Sequence, residues 1–113
     1  MSRKAIFTVS TPVPQAHTVT LDSGSWKYHI LPGHSEMKGR VANIKAAVQS
    51  PTLVCTATDP SYIGFVSHVE RDETGKPMLV IIDPKSGHNS RVVTAYYAAK
   101  YDNVESLNVI WTP

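Results

Sequence analysis

The most regular pattern along the chain is helical. Met37, Val41, Ile44 and Val48 recur at spacings of four, three and four, the stripe that a 3.6-residue helix turns toward a core. Lys38, Lys45 and Gln49 fall off that stripe. Ser35 stands where an N-cap belongs, Glu36 meets the positive end of the helix dipole, and Pro51 stops the run. The spacing predicts one main helix over 36–49, even though Gly39 inside it costs up to ~1 kcal/mol relative to alanine.

Beyond the helix the period shortens. Leu53–Thr58, Ile63–Val69, Met78–Ile82 and Arg91–Tyr97 are rich in β-branched and aromatic residues and read as strands. Asp59-Pro60-Ser61, Asp72-Glu73-Thr74-Gly75 and Asp83-Pro84-Lys85-Ser86-Gly87 separate them with turn chemistry. Loops this short favour antiparallel pairing, since parallel strands need a long crossover. Val104–Trp111 is a candidate edge strand, and Ala5–Val9 a short strand before the helix. Positions 10–25, rich in Ser, Thr, Pro and Gly, read as an irregular arm or a pair of loose strands. Trp26, Tyr28 and Ile30 alternate with Lys27 and His29, the period of an extended segment, until Pro32-Gly33 breaks it. The expected fold is one α+β domain, with a main N-terminal helix packed on an antiparallel sheet of about four strands. Residues 1–25 would be the arm, 26–101 the core and 102–113 a C-terminal edge segment.

Composition narrows the class without changing this picture. The 113 residues are 42% hydrophobic and 18% charged, as in a globular domain rather than a disordered chain. No apolar run approaches the ~20 residues needed to cross a bilayer, and the stretch before Pro12 and Pro14 is short for a secretory signal. Cys55 is alone, which excludes an internal disulfide and suits a reducing cytoplasm.

Charge carries more information. The net value is only +2, yet Lys27, Lys38, Arg40 and Lys45 meet Glu36 alone between positions 26 and 45. Lys85, Arg91 and Lys100 meet no acid between 84 and 100, while Glu70, Asp72 and Glu73 gather around Arg71. Set side by side, the helix start and the last hairpin would make a basic face suited to phosphates. The alternative is that scattered cations merely solvate a surface.

His29 and His34 bracket the turn into the predicted helix. An imidazole, ordinarily titrating near ~6.5, gives or takes a proton at neutral pH. A helix N-terminus adds free N–H groups for an anion, so with Lys27 the corner suits phosphate chemistry. On the last strand, strict alternation sets Val92, Thr94 and Tyr96 on one face and Arg91, Val93, Ala95 and Tyr97 on the other. A hydroxyl and a phenol side by side could orient a substrate, although both residue types also simply favour strands. His17, His68 and His88 read as exposed loop or strand positions. No familiar ligand spacing is present, so neither a metal nor another cofactor is expected.

In order along the chain come Trp26-Lys27-Tyr28-His29-Ile30, His34-Ser35-Glu36-Met37, a helix ending at Ser50-Pro51-Thr52, a hairpin carrying Tyr62 and Phe65, and Arg91-Val92-Val93-Thr94-Ala95-Tyr96. Together these resemble the phage and polymorphic-toxin branch of the barnase–EndoU–colicin–RelE-like (BECR) nucleases, over about residues 26–101. The resemblance implies a four-stranded antiparallel sheet beside N-terminal helical structure. It also implies a metal-independent endoribonuclease of toxin type, cleaving RNA by 2′-hydroxyl attack with histidine acid–base catalysis. The single helix is a departure, since the family often has more before the sheet. By position, His29 and His34 match the histidines before and at the helix, Thr94 and Tyr96 the polar residues of the last strand, and Arg91 its basic residue. Lys27, Lys45 and Lys85 would then bind the RNA. An acidic antitoxin or immunity protein covering the basic face is the partner that such a toxin implies. Two rivals are a non-catalytic nucleic-acid- or protein-binding phage accessory module on the same scaffold, and a metal-dependent hydrolase using the five histidines.

Overall fold

A computed structural model describes residues 4–84 and 89–113. Its strands are β1 (Ala5–Ser10), β2 (Thr18–Asp22), β3 (Leu53–Thr56), β4 (Ile63–Arg71), β5 (Pro77–Asp83), β6 (Ser90–Tyr97) and β7 (Val109–Trp111). They join in one seven-stranded sheet in the order β1-β2-β6-β5-β4-β3-β7.

The four strands expected after the helix are all present, as β3 to β6, and they pair antiparallel as a meander. The β4–β5 turn shows why. Asp72 Oδ1 accepts from the N–H groups of Thr74 and Lys76 and from the Thr74 hydroxyl at 2.9, 2.9 and 2.7 Å. Gly75 takes the left-handed φ of +87° that the tight reversal requires. β7 adds antiparallel to β3 as an edge.

The expectation of a main helix on about four antiparallel strands is overturned. The sheet has seven strands, and it is mixed, because β2 runs parallel to β6 with Val19 opposite Ser90 and Thr20 opposite Arg91. Among the described residues the α-helical content is two short segments, α1 (Leu31–Gly33) and α2 (Val41–Gln49). Residues 35–49 do not form one helix because Gly39 sits at φ +81°, a left-handed conformation that breaks the ladder. Ser35–Met37 is consequently a separate 3₁₀ turn. The apolar stripe survives this break, with Met37, Ile44 and Val48 fully buried.

One further segment departs from expectation. Trp26–Ile30 is not extended, since Ser25–Ile30 is a π-helical turn in which the Leu31 N–H donates to the Trp26 carbonyl. Pro32 supplies no N–H and crowds the carbonyl four residues back, and a widened turn relieves both problems. The expected strand at Ala5–Val9 is present as β1, and within residues 10–25 the strand alternative holds for β2, so the two form a hairpin. It seals the core with Phe7, Val19 and Leu21, packed in one cluster with Ile44 and Val48 of α2 and with Phe65, Val80 and Ala95 of the sheet. On the other face Leu53, Cys55, Val66 and Leu79 pack with Tyr101 and Leu107 of the C-terminal turns. Each face is thus covered, and the alternation along β4 and β5 decides which side chain goes where.

Candidate functional site

β6 organises the site, and the chain from 25 to 40 runs along it. Ser25 and His29 lie beside Arg91, Val92 and Val93. His34 lies against Tyr96, and the Arg40 guanidinium sits 5.9 Å from the centre of the Tyr97 ring. The π turn begins where the Ser25 N–H donates to Asp22 Oδ1 at 2.7 Å, which redirects the chain from β2 onto β6.

A bulge in β6 sets the directions of the side chains. Thr94 pairs with Ile81 while Val92 pairs with Ile82, leaving Val93 as the extra residue. Val92, Ala95 and Tyr97 therefore join the core cluster with α2, and Thr94 and Tyr96 turn to the opposite face. Strict alternation had set Val92 beside Thr94 and Tyr96; the bulge removes it from that group.

The His34 ring stacks on Tyr96 at 4.7 Å between centroids and 15° between planes. Glu36 Oε2 stands 3.7 Å from His34 Nδ1, beyond hydrogen-bond range but close enough to attract a protonated ring. Thr94 and Tyr96 line a cleft of about 220 Å³ with Tyr62, Val93 and Tyr101. His29 and Arg91 line an adjoining cavity of about 170 Å³ that shares Tyr62 and Val93 with it. Burial first, and then the neighbouring Tyr101 phenol, push the Tyr96 hydroxyl up to about 12. Tyr96 is therefore a hydrogen-bond donor at any ordinary pH rather than a base.

The five residues singled out for catalysis, His34, His29, Arg91, Thr94 and Tyr96, thus fall along one stretch of β6. The lysines divide. Lys27 is exposed two residues before His29, nearly half a turn around the π-helical segment from it, with its ammonium 5.5 Å from the centre of the Tyr28 ring. Lys45 is exposed on α2, over the opposite face of the sheet from Thr94 and Tyr96, and so does not border the cleft. Lys85, His88 and the rest of the turn at 85–88 lie outside the described residues. No long helix begins at Ser35 either, so the expected N-terminal N–H cluster beside His34 is replaced by a single 3₁₀ turn.

Arg91 is at the start of β6, with Asp83 across from it in the β5–β6 register, and Asp59 lines the Thr94–Tyr96 cleft. At the β4–β5 turn, Glu73 pairs with Arg40 at 3.2 Å. Arg71 there binds both carboxylate oxygens of Asp102, at 3.0 and 2.9 Å. His68, expected to be exposed, is half-buried and its Nε2 bonds the Tyr101 carbonyl at 2.8 Å.

Tyr62 and Tyr101 border the cleft and were not among the expected site residues, although Tyr62 belongs to the hairpin that carries the resemblance. Among the described residues no three His, Cys, Asp or Glu side chains are grouped to hold a metal ion. No helix among them is long and apolar enough to cross a membrane. In comparisons with known proteins, no family model, curated protein or solved structure matches the chain.

Proposed function

We propose that the cleft along β6 cleaves RNA, using the substrate's own 2′-hydroxyl as nucleophile and His34 and His29 as the proton-transfer pair. The observation that carries this reading is the stacking of His34 on Tyr96, which lines the cleft beside Thr94, with His29 and Arg91 in the adjoining cavity. Residues some sixty positions apart in the chain, each suited to one part of phosphodiester chemistry, meet on one surface.

RNA carries its nucleophile in position, so an enzyme need only move two protons and steady the charge between them. One histidine takes the 2′-hydroxyl proton as the 2′-oxygen bonds to phosphorus. The bond from phosphorus to the 5′-oxygen then breaks, and the other histidine protonates that oxygen. The products are a 2′,3′-cyclic phosphate and a free 5′-hydroxyl. The Arg91 guanidinium and the Thr94 and Tyr96 hydroxyls are the donors for the non-bridging oxygens, where charge builds up. Stacking on Tyr96 holds the His34 ring in one plane, which a proton-transfer group needs. Lys27 adds positive charge near the His29 end. An acidic partner protein that blocks the activity would bind over Lys27 and Arg91, and the single thiol of Cys55 fits action in a reducing cytoplasm.

Incubation of purified protein with fluorescent RNA in EDTA tests the reading. Cleavage is expected to persist in chelator and to fall by ~10²–10⁴ in His34→Ala and in His29→Ala. RNA left intact by the wild-type protein would refute the nuclease reading, and full activity in both variants would refute the histidine assignment.

A further inference from the structure

We infer that the cleft continues past the reacting phosphate into a second subsite walled by Lys100, and that the whole trough takes single-stranded RNA more than one nucleotide long. The inference rests on the nuclease reading for what happens at His34, but the binding surface stands on its own geometry.

A hollow of about 320 Å³ lies beside the Thr94–Tyr96 cleft, bordered by Thr56, Thr58, Lys100, Tyr101, Ser106 and Asn108. It shares Ala57, Thr58 and Tyr101 with that cleft, which in turn shares Tyr62 and Val93 with the His29–Arg91 cavity. Three hollows therefore follow one another across the face of the sheet. A cation stands at each end, Arg91 in the first and Lys100 in the last. The hollows run across the strands from β6 to β3, with Val92, Ile82, Ile63 and Thr56 in register, and three strand spacings of ~4.8 Å span about 14 Å. One nucleotide does not fill such a trough.

The aromatic side chains between the two cations take different parts. One face of Tyr96 is taken by His34, and the Lys100 ammonium sits 5.2 Å from the centre of the Tyr101 ring. Tyr62 is half-buried, lines both neighbouring hollows, and carries no ring or cation from among the described residues. It is the platform on which a base could stack. Cations that follow the backbone, with an aromatic face between them, form the arrangement that binds single strands. A duplex keeps its bases paired and offers no face to Tyr62. The hydroxyls of Thr56, Thr58 and Ser106 and the amide of Asn108 could then meet the edge of the base that follows.

Fluorescence anisotropy with 2′-O-methyl oligonucleotides, which bind but lack the nucleophile, separates binding from cleavage. A single-stranded hexanucleotide is expected to bind at least tenfold more tightly than a dinucleotide or the same hexanucleotide in a duplex. Lys100→Gln should weaken the hexanucleotide about tenfold and flatten its salt dependence by ~0.7 in log–log slope, leaving the dinucleotide unchanged. Tyr62→Leu should weaken the hexanucleotide as well, and unaltered thermal melts would show that both variants fold. Equal hexanucleotide affinity in wild type and Lys100→Gln, or duplex bound as well as single strand, would overturn the subsite. If Lys100→Gln has no effect while RNA is still cut, the subsite fails and the nuclease reading stands. If binding depends on Lys100 but no RNA is cut, the reverse holds.

Discussion

Tyr96 and Tyr97 are adjacent in sequence and opposite in role. Tyr97 points into the core beneath Arg40, and its hydroxyl is buried without a hydrogen-bond partner among the described residues. Tyr96 faces the cleft, carries His34, and has its phenol pushed up to about 12, chiefly by burial and then by Tyr101. An unfolded tyrosine titrates near ~10, so the folded protein holds this proton more tightly than the unfolded chain does. The stability this confers is complete below ~10 and is lost as pH rises toward the folded value. Absorbance titration of tyrosinate should therefore show a group near 12 that disappears in Tyr96→Phe, and the variant should lose less stability than wild type across that alkaline interval. A Tyr96→Phe titration identical to wild type would contradict the burial of this phenol.

The elements differed in how legible they were, for physical reasons. β3 to β6 could be read because each is a dense β-branched or aromatic run closed by Asp, Pro or Gly turns, and such runs have few alternatives. The apolar stripe from Met37 to Val48 was legible as a buried face, but its division by Gly39 was not. A glycine costs a helix little enough that a clean stripe outweighs it, and only the left-handed φ at that position ends the matter. Trp26 and Ile30 are four apart, the spacing of a helix face, while the intervening Tyr28 imitates a strand's alternation; Ile30 is buried and Tyr28 exposed. β2 was legible only as one of a pair of loose strands, because one of its two partners, the start of β6, lies some seventy residues later. Val93 was unreadable as a bulge, since nothing in a valine announces one. The β3–β4–β5 interior offers its own test at Gly64, where an added Cβ would meet Leu79 Cδ1 at 3.0 Å and Cys55 Sγ at 3.4 Å. Gly64→Val should cost ~1–3 kcal/mol by overpacking, read from the shift in urea midpoint. An unchanged midpoint would mean that this layer is looser than its contacts indicate.

At the scale of the molecule, the histidines and arginine were legible as chemistry, but their convergence was not a property of any segment. It depends on β2 delivering the chain to β6, on Pro32 widening the turn that carries His29, and on the bulge that aims Thr94 and Tyr96 away from α2. The central claim is that this convergence serves attack by a substrate's own 2′-oxygen, and the products of one reaction test it most directly. A DNA oligonucleotide carrying a single ribonucleotide is incubated with the protein in EDTA and the fragments are weighed by mass spectrometry. The account predicts one cut, just after the ribonucleotide, leaving a 2′,3′-cyclic phosphate on one fragment and a 5′-hydroxyl on the other, and no cut when the 2′-oxygen is methylated. Cutting of the methylated strand, or fragments ending in a 5′-phosphate, would contradict it.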